Sequence, residues 1–429
     1  MLLNKERAYE IMDREGLDAL VAVSSNNVLY LSDFDSDFLY DVPWVACAIL
    51  PRDPNKEACL IVTEIEAAVL IQQPTWMPKV KLYYFGTYGG ILKVHTFAEN
   101  LATDEDRDIA SLVKGMEDEP YIGVTEAAIA ALKELGLDKS GKVGIDDTRF
   151  VAALEGVLSP DRVVDATNFL IEIRMVKTPD EISILREAAR KNQNAITSAI
   201  STIREGATWD EVHRAYEIQV ASEGARVFAN FNGAGVKSAG AGRPDRVYPI
   251  KKGDQVCFDS MLKWKRYMGD VQRTVVLGEP DKKMLTYWDA FTAGIDTAYE
   301  ALRPGIETGK LREQTIEAVR LNGLPSFELA FTHGIGLDHI EVPFIAGGTL
   351  GDFPIEENMV LVCIHQNLNM EIIKFMKYAK VREIIQEGSP DREYNIEYFG
   401  VENNLKILIL IIQLLLWHIL QLIHLIDMP

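Results

Sequence analysis

Cysteine is scarce: four residues, Cys47, Cys59, Cys257 and Cys363, in a chain of 429. Their spacing matches neither a zinc knuckle nor a disulfide framework, so they are read as reduced and mostly buried thiols. Histidine is also sparse, with seven residues. Positive charge is in deficit: 44 Lys and Arg against 64 Asp and Glu give a formal charge of −20. A surface of that sign repels phosphate backbones and excludes nucleic acid as the natural partner. It favours a well-solvated cytoplasmic protein. The first residues, Met1-Leu2-Leu3-Asn4-Lys5-Glu6-Arg7, lack the apolar core of a signal peptide. Asp33, Asp35 and Asp37 resemble a calcium loop only superficially. The central Gly and the closing Glu of an EF-hand are missing, so a solvated acidic loop is expected.

What the chain does have is length for two or three domains and a 48% hydrophobic content able to bury large cores. Residues 1–165 open with an amphipathic helix, Lys5 to Glu15, stopped by Gly16. Apolar runs follow at 19–23, 45–50 and 58–62, with helical pattern at 122–135. Such alternation of strand and helix predicts an α/β layer domain. A new helix then starts with its own signals: Thr178 as cap, Pro179 in the first turn and Glu181 completing a capping box.

The chemistry-bearing residues lie further on. Asp259 and Asp270 are set in two apolar, β-branched stretches, read as antiparallel strands joined by a turn near Lys263–Lys265. Residues opposed in such a hairpin share a face, which makes the two carboxylates neighbours. Like charges so placed repel unless a cation lies between them. A pair of divalent ions is the usual catalytic solution, against the plain alternative of two solvated aspartates. His333, in Thr332-His333-Gly334-Ile335-Gly336-Leu337-Asp338, is read as lying in a tight glycine-rich turn. Arg243, Arg246 and Lys251 are weighed as holders of a substrate carboxylate and read instead as surface cations.

An ordered series over residues 173–362 resembles the aminopeptidase P, prolidase and creatinase metallopeptidases of pita-bread fold. It runs from Ile173-Arg174-Met175-Val176-Lys177-Thr178-Pro179-Asp180-Glu181 through the Asp259/Asp270 pair with Arg273-Thr274. It continues through Val276-Leu277-Gly278-Glu279-Pro280, the His333 string, Glu341 with Pro343, and Asn358-Met359-Val360. Gly16-Leu17-Asp18-Ala19-Leu20 and Asn27-Val28-Leu29-Tyr30-Leu31 resemble that family's N-terminal domain. The resemblance implies an α/β N-terminal domain (1–165), an incomplete α+β pita-bread catalytic domain (173–362) and an aberrant C-terminus. It implies two divalent ions, with Mn²⁺ favoured over Co²⁺ or Zn²⁺ by oxygen-rich ligation. Asp259 would bind one, His333 the other, and Asp270 would bridge them. It further implies a homodimer, and hydrolysis by metal-activated water of short peptides with proline at the second position. His339 and Glu341 are the candidate catalytic residues.

The departures are as specific as the matches. The family's ligand Glu, five residues after Met359, is Ile364 here, and its final Glu has no counterpart among Glu371, Glu383 and Glu402. Ala241 stands where a histidine assisting the reaction is usual. His339 falls one place before the second such histidine, at Ile340, and a one-residue slip reverses a strand side chain. From Cys363 strand alternation is expected to stop. The stretch Leu405–Ile426 is almost wholly Leu and Ile, a poor membrane span with its Lys, Gln and His residues. The abrupt end of the resemblance within a motif is read as a change of reading frame near residue 363, with a genuine interaction or membrane tail, or a divergent native end, as alternatives. Two function classes follow: an Xaa-Pro exopeptidase impaired in this chain, or an inactive descendant that binds. Creatinase-like or lyase chemistry is the runner-up within the enzyme class.

Overall fold

The computed structural model describes residues 1–85, 103–117, 120–154, 156–231, 233–235, 244–328, 330–345, 352–365, 375–384 and 393–399. The chain divides into two compact units. The first contains residues 1–183 together with the segments 334–343 and 358–360. The second contains 184–333, 344–357 and the residues from 361 on.

The first unit is built on a six-stranded mixed sheet. Its strands are β1 (Ala19–Ala22), β2 (Cys47–Pro51), β3 (Cys59–Thr63), β4 (Lys79–Tyr83), β5 (Val143–Ile145) and β6 (Val163–Asp165). They lie in the order β4-β3-β2-β1-β5-β6. Strands β1, β2 and β3 pair antiparallel, and the flanking pairs run parallel. The residues of β1, β2 and β3 are buried throughout, as expected of central strands covered on both faces. The helix Lys5–Glu15 ends where expected: Gly16 takes φ 66° and Leu17 N–H returns to Met12 O, a glycine C-cap. The helix Val124–Glu134 packs Ala127, Ala128, Ala131 and Leu132 into the core of the sheet. At the start of the helix Pro179–Ile200 the expected capping box is formed. Glu181 N–H donates to Thr178 Oγ1 at 3.3 Å, and Thr178 N–H to Glu181 Oε2 at 2.9 Å.

The second unit contains a three-stranded sheet, β7 (Arg226–Asn230), β8 (Gln255–Trp264) and β9 (Tyr267–Val276), in that order. Strands β8 and β9 form one long hairpin from Gln255↔Val276 to Trp264↔Tyr267. Its turn residues, Lys265 and Arg266, both have positive φ, 48° and 68°. This is the two-residue turn that matches the natural strand twist, one residue later than the sequence suggests. Helix 179–200 packs on one face of the hairpin. Asn192 Nδ2 donates to Ser260 O and Gly269 O, at 2.7 and 2.9 Å. A Cβ on Gly269 would stand 2.7 Å from Ala188 O, so only glycine permits the approach. Helices Lys282–Ala301 and Thr308–Leu321 enclose a smaller core around Phe291, Val319 and Phe327.

The remaining strands are β10 (Ala330–Gly334), β11 (Glu341–Ile345), β12 (Val360–His365), β13 (Phe375–Ile384) and β14 (Glu393–Phe399). The expectation that strands end at Cys363 is corrected for the backbone. Strand β12 continues through His365, and β13 and β14 pair antiparallel from Tyr378↔Phe399 to Ile384↔Glu393. The overlooked signal is a period of two in β14, where Tyr394, Ile396 and Tyr398 alternate with Glu393, Asn395 and Glu397. Glu371, Glu402 and the Leu/Ile-rich stretch lie outside the described residues. No described helix is long and apolar enough to cross a membrane.

Candidate metal centre

Asp259 and Asp270 arise from the register of the β8–β9 hairpin. Asp259 pairs with Gln272, and Asp270 with Met261. Opposed residues share a face and so do alternate residues along a strand. The two carboxylates therefore point the same way, as diagonal rather than direct neighbours. The next rung on that face, Cys257 with Thr274, shows the sharing directly: Sγ and Oγ1 are 3.2 Å apart. The opposite face carries Ser260, Leu262 and Gly269 and is the one that helix 179–200 covers. Asp259 is 8% exposed and Asp270 1%.

His333 is in strand β10, not in a turn; the glycines follow it and shape the bend at 336–340. It is fully buried, with Nε2 3.9 Å from Asp270 Oδ2. That exceeds a hydrogen bond. It is a separation two ligands of one ion adopt when each bond is ~2.1 Å. Among the described residues the cluster of groups close enough to share one ion contains this pair but not Asp259, which joins it only through the shared face of the hairpin. Two buried carboxylates and a buried imidazole are the donor set of a hard or borderline divalent cation.

The other sequence candidates sit in the first unit. His339 lies half-buried in the bend before β11 rather than in a strand, so a one-residue slip does not by itself reverse its side chain. Glu341 begins β11 and is buried inside an ion-pair cluster the sequence did not reveal. Arg174 Nη2 contacts Glu341 Oε1 and also donates to Asp338 Oδ2 at 2.6 Å. Lys177 Nζ donates to Glu341 Oε2 at 2.7 Å. Arg174 Nη1 donates to Asn27 Oδ1 at 3.1 Å, and Asn26 Nδ2 to Asp338 Oδ1 at 2.7 Å. The cluster continues from Asn27 to Asp146, which also accepts the Val23 N–H. Burial by itself would raise the Glu341 pKa, but the charges of Arg174 and Lys177 outweigh it and hold the carboxyl at about 2. Burial likewise opposes the charge on Arg174, and Glu341 and Asp338 overcome it, so the guanidinium is held above its usual pKa.

The bend itself is fitted to this cluster. Asp338 N–H donates to Glu341 Oε1 at 3.2 Å, and Gly336 N–H to Asp338 O at 3.2 Å. A Cβ on Gly336 would lie 2.6 Å from the Glu341 carboxylate oxygens. The Arg174-to-Lys177 spacing on one side and Gly336, Asp338 and Glu341 on the other were the available signals, but 167 residues separate Arg174 from Glu341. Of the surface cations weighed earlier, Arg246 pairs with Asp210; Arg243 lies outside the described residues, as does Ala241.

Comparison with known proteins identifies the two halves separately. The creatinase/prolidase N-terminal domain matches residues 5–176, and metallopeptidase family M24 matches residues 183–370. The chain is 26% identical over 234 residues to an Xaa-Pro dipeptidase of Pyrococcus furiosus, which covers 52% of this chain and 66% of that protein. It is 27% identical over 199 residues to an Xaa-Pro dipeptidase of Lactobacillus delbrueckii subsp. lactis, covering 46% of this chain and 54% of that protein. The match thus spans between half and two thirds of these relatives' lengths. In structure, the chain is similar to the Xaa-Pro dipeptidase from Bacillus anthracis, with TM-score 0.69, 19% identity and coverage of 93% and 97%.

Proposed function

The chain belongs to metallopeptidase family M24, with a creatinase/prolidase N-terminal domain ahead of the catalytic one, and from that premise we propose an Xaa-Pro exopeptidase whose turnover is impaired. The observation that carries the proposal is the buried Asp270–His333 pair on the carboxylate face of the hairpin. The substrates are short peptides with proline second, as the names of the relatives suggest.

Asp259, Asp270 and His333 would hold the ions. Two divalent cations, Mn²⁺ before Co²⁺ or Zn²⁺, supply Lewis acidity and an activated water when bound. The chain's own residues bury the site and fix its carboxylates on the β8–β9 hairpin and its imidazole on β10, which excludes bulk water and lowers reorganisation cost. His339 is the proton-handling group for the reacting amide. Glu341 acts through Arg174 and Lys177 as a positioning residue that sets the bend carrying His339. Impairment is supported by charge: two carboxylates offer −2 against +4, and Ile364 occupies the position of a ligand Glu in β12. A homodimer and a cytoplasmic setting complete the reading; the buried cysteines Cys47, Cys59 and Cys257, none in a disulfide, and the −20 charge favour the latter.

The test is an assay of the full chain with Mn²⁺ and a set of Xaa-Pro dipeptides. The expected result is turnover at least about 100-fold below the ordinary ~1–100 s⁻¹, and lost in Asp270→Asn. Ordinary turnover would show that other groups complete the site. Activity indifferent to Asp270→Asn would refute the assignment itself.

A further inference from the structure

The carboxylate face of the β8–β9 hairpin carries one more polar side chain. Gln272 sits two residues along β9 from Asp270 and directly across the ladder from Asp259. It is fully buried, with 0% exposure. Among the described residues, neither its amide nitrogen nor its amide oxygen has a hydrogen-bond partner. A primary amide brings two donors and an acceptor oxygen with two lone pairs. Folded interiors satisfy such groups, and an exception marks a place where something other than the chain completes them.

The neighbours indicate what completes this one. On the same face stand Asp259 and Asp270, and the following rung is closed by the Cys257–Thr274 contact. The amide oxygen of Gln272 therefore belongs to the same patch as the two carboxylates. That patch gathers oxygen donors on one buried face. Amide oxygens are regular ligands of hard divalent ions. A neutral one adds a bond without adding charge, which suits a site short of anionic ligands.

We propose that Gln272 is a metal ligand in this chain, giving its carboxamide oxygen to the cation that Asp259 and Asp270 hold. This rests on the metal centre of the preceding section, and the experiment separates the two. Mn²⁺ is titrated calorimetrically into the full-length chain and into Gln272→Met, Gln272→Glu and Asp270→Asn. Methionine keeps the length and removes the oxygen donor; glutamate keeps the reach and adds charge. Loss of the donor is expected to weaken Mn²⁺ binding on the order of 10-fold, and the added carboxylate to tighten it by a similar factor, since ligand charge sets affinity in such sites. A urea midpoint for the metal-free forms gives the second readout. Gln272→Met should be no less stable than the unaltered chain, because it removes an unsatisfied buried amide; a purely structural glutamine would give a less stable protein. If Gln272→Met does not fold, Gln272→Glu alone decides. Equal affinity in the glutamine variants, with binding lost only in Asp270→Asn, overturns the ligand role of Gln272 and leaves the centre standing. No Mn²⁺ binding by the unaltered chain overturns both.

Discussion

Buried charge survives in this protein where it is paired, and Glu341 is the clearest case. Its carboxylate is enclosed by Arg174 and Lys177, and breaking one side of such a cluster strands the other. Arg174→Met should therefore cost about 3–5 kcal/mol in urea denaturation. The same group predicts a pH signature. Its folded pKa is about 2 against an ordinary 4.5. As pH falls, the unfolded chain takes up this proton first. The contribution is whole above pH ~4.5 and fades towards pH ~2, roughly 3 kcal/mol in all. Glu341→Gln should flatten the acid limb of stability in that window; an unchanged slope would remove Glu341 as its source. The sequence singled out Glu341 but not its partners. A charge pair across 167 residues leaves no local pattern, whereas Asp259 and Asp270 were legible because both lie in strands with a single turn between them.

Element by element, periodicity was informative where burial was one-sided or complete. The strands at 19–22, 47–51 and 59–63 and the helix at 5–15 follow directly from apolar runs and a glycine stop. The hairpin turn was displaced by one residue because Lys265 and Arg266 carry none of the usual Asn-Gly chemistry, although both take positive φ. Replacing them by Asn-Gly should stabilise the unit by about 1 kcal/mol through relief of turn strain, read as a higher urea midpoint with the same slope. Gly269→Ala should act oppositely. Its methyl meets the Ala188 carbonyl at 2.7 Å and forces helix and hairpin apart, at about 1–3 kcal/mol. Asn192 bonds to Ser260 O and Gly269 O should loosen with it, seen as faster amide exchange along β8 and β9. The alternation in β14 is masked in the sequence because the surrounding residues mix charges without period.

For the whole molecule, the N-terminal domain is expected to border a homodimer contact. Size-exclusion with light scattering should give twice the 48.0 kDa of the chain at micromolar concentration; monomer alone would count against it. The reading-frame account of the C-terminal stretch makes a separate demand: a one-base shift in the DNA near codon 363 should restore a Glu-bearing strand. The central claim is that Asp259, Asp270 and His333 hold a metal, and anomalous diffraction at the manganese edge from crystals grown with Mn²⁺ tests it most directly. A peak within ~2.0–2.3 Å of both Asp270 Oδ2 and His333 Nε2 is the predicted result. A fully substituted crystal with no peak there, or with the ion bound elsewhere, would contradict it.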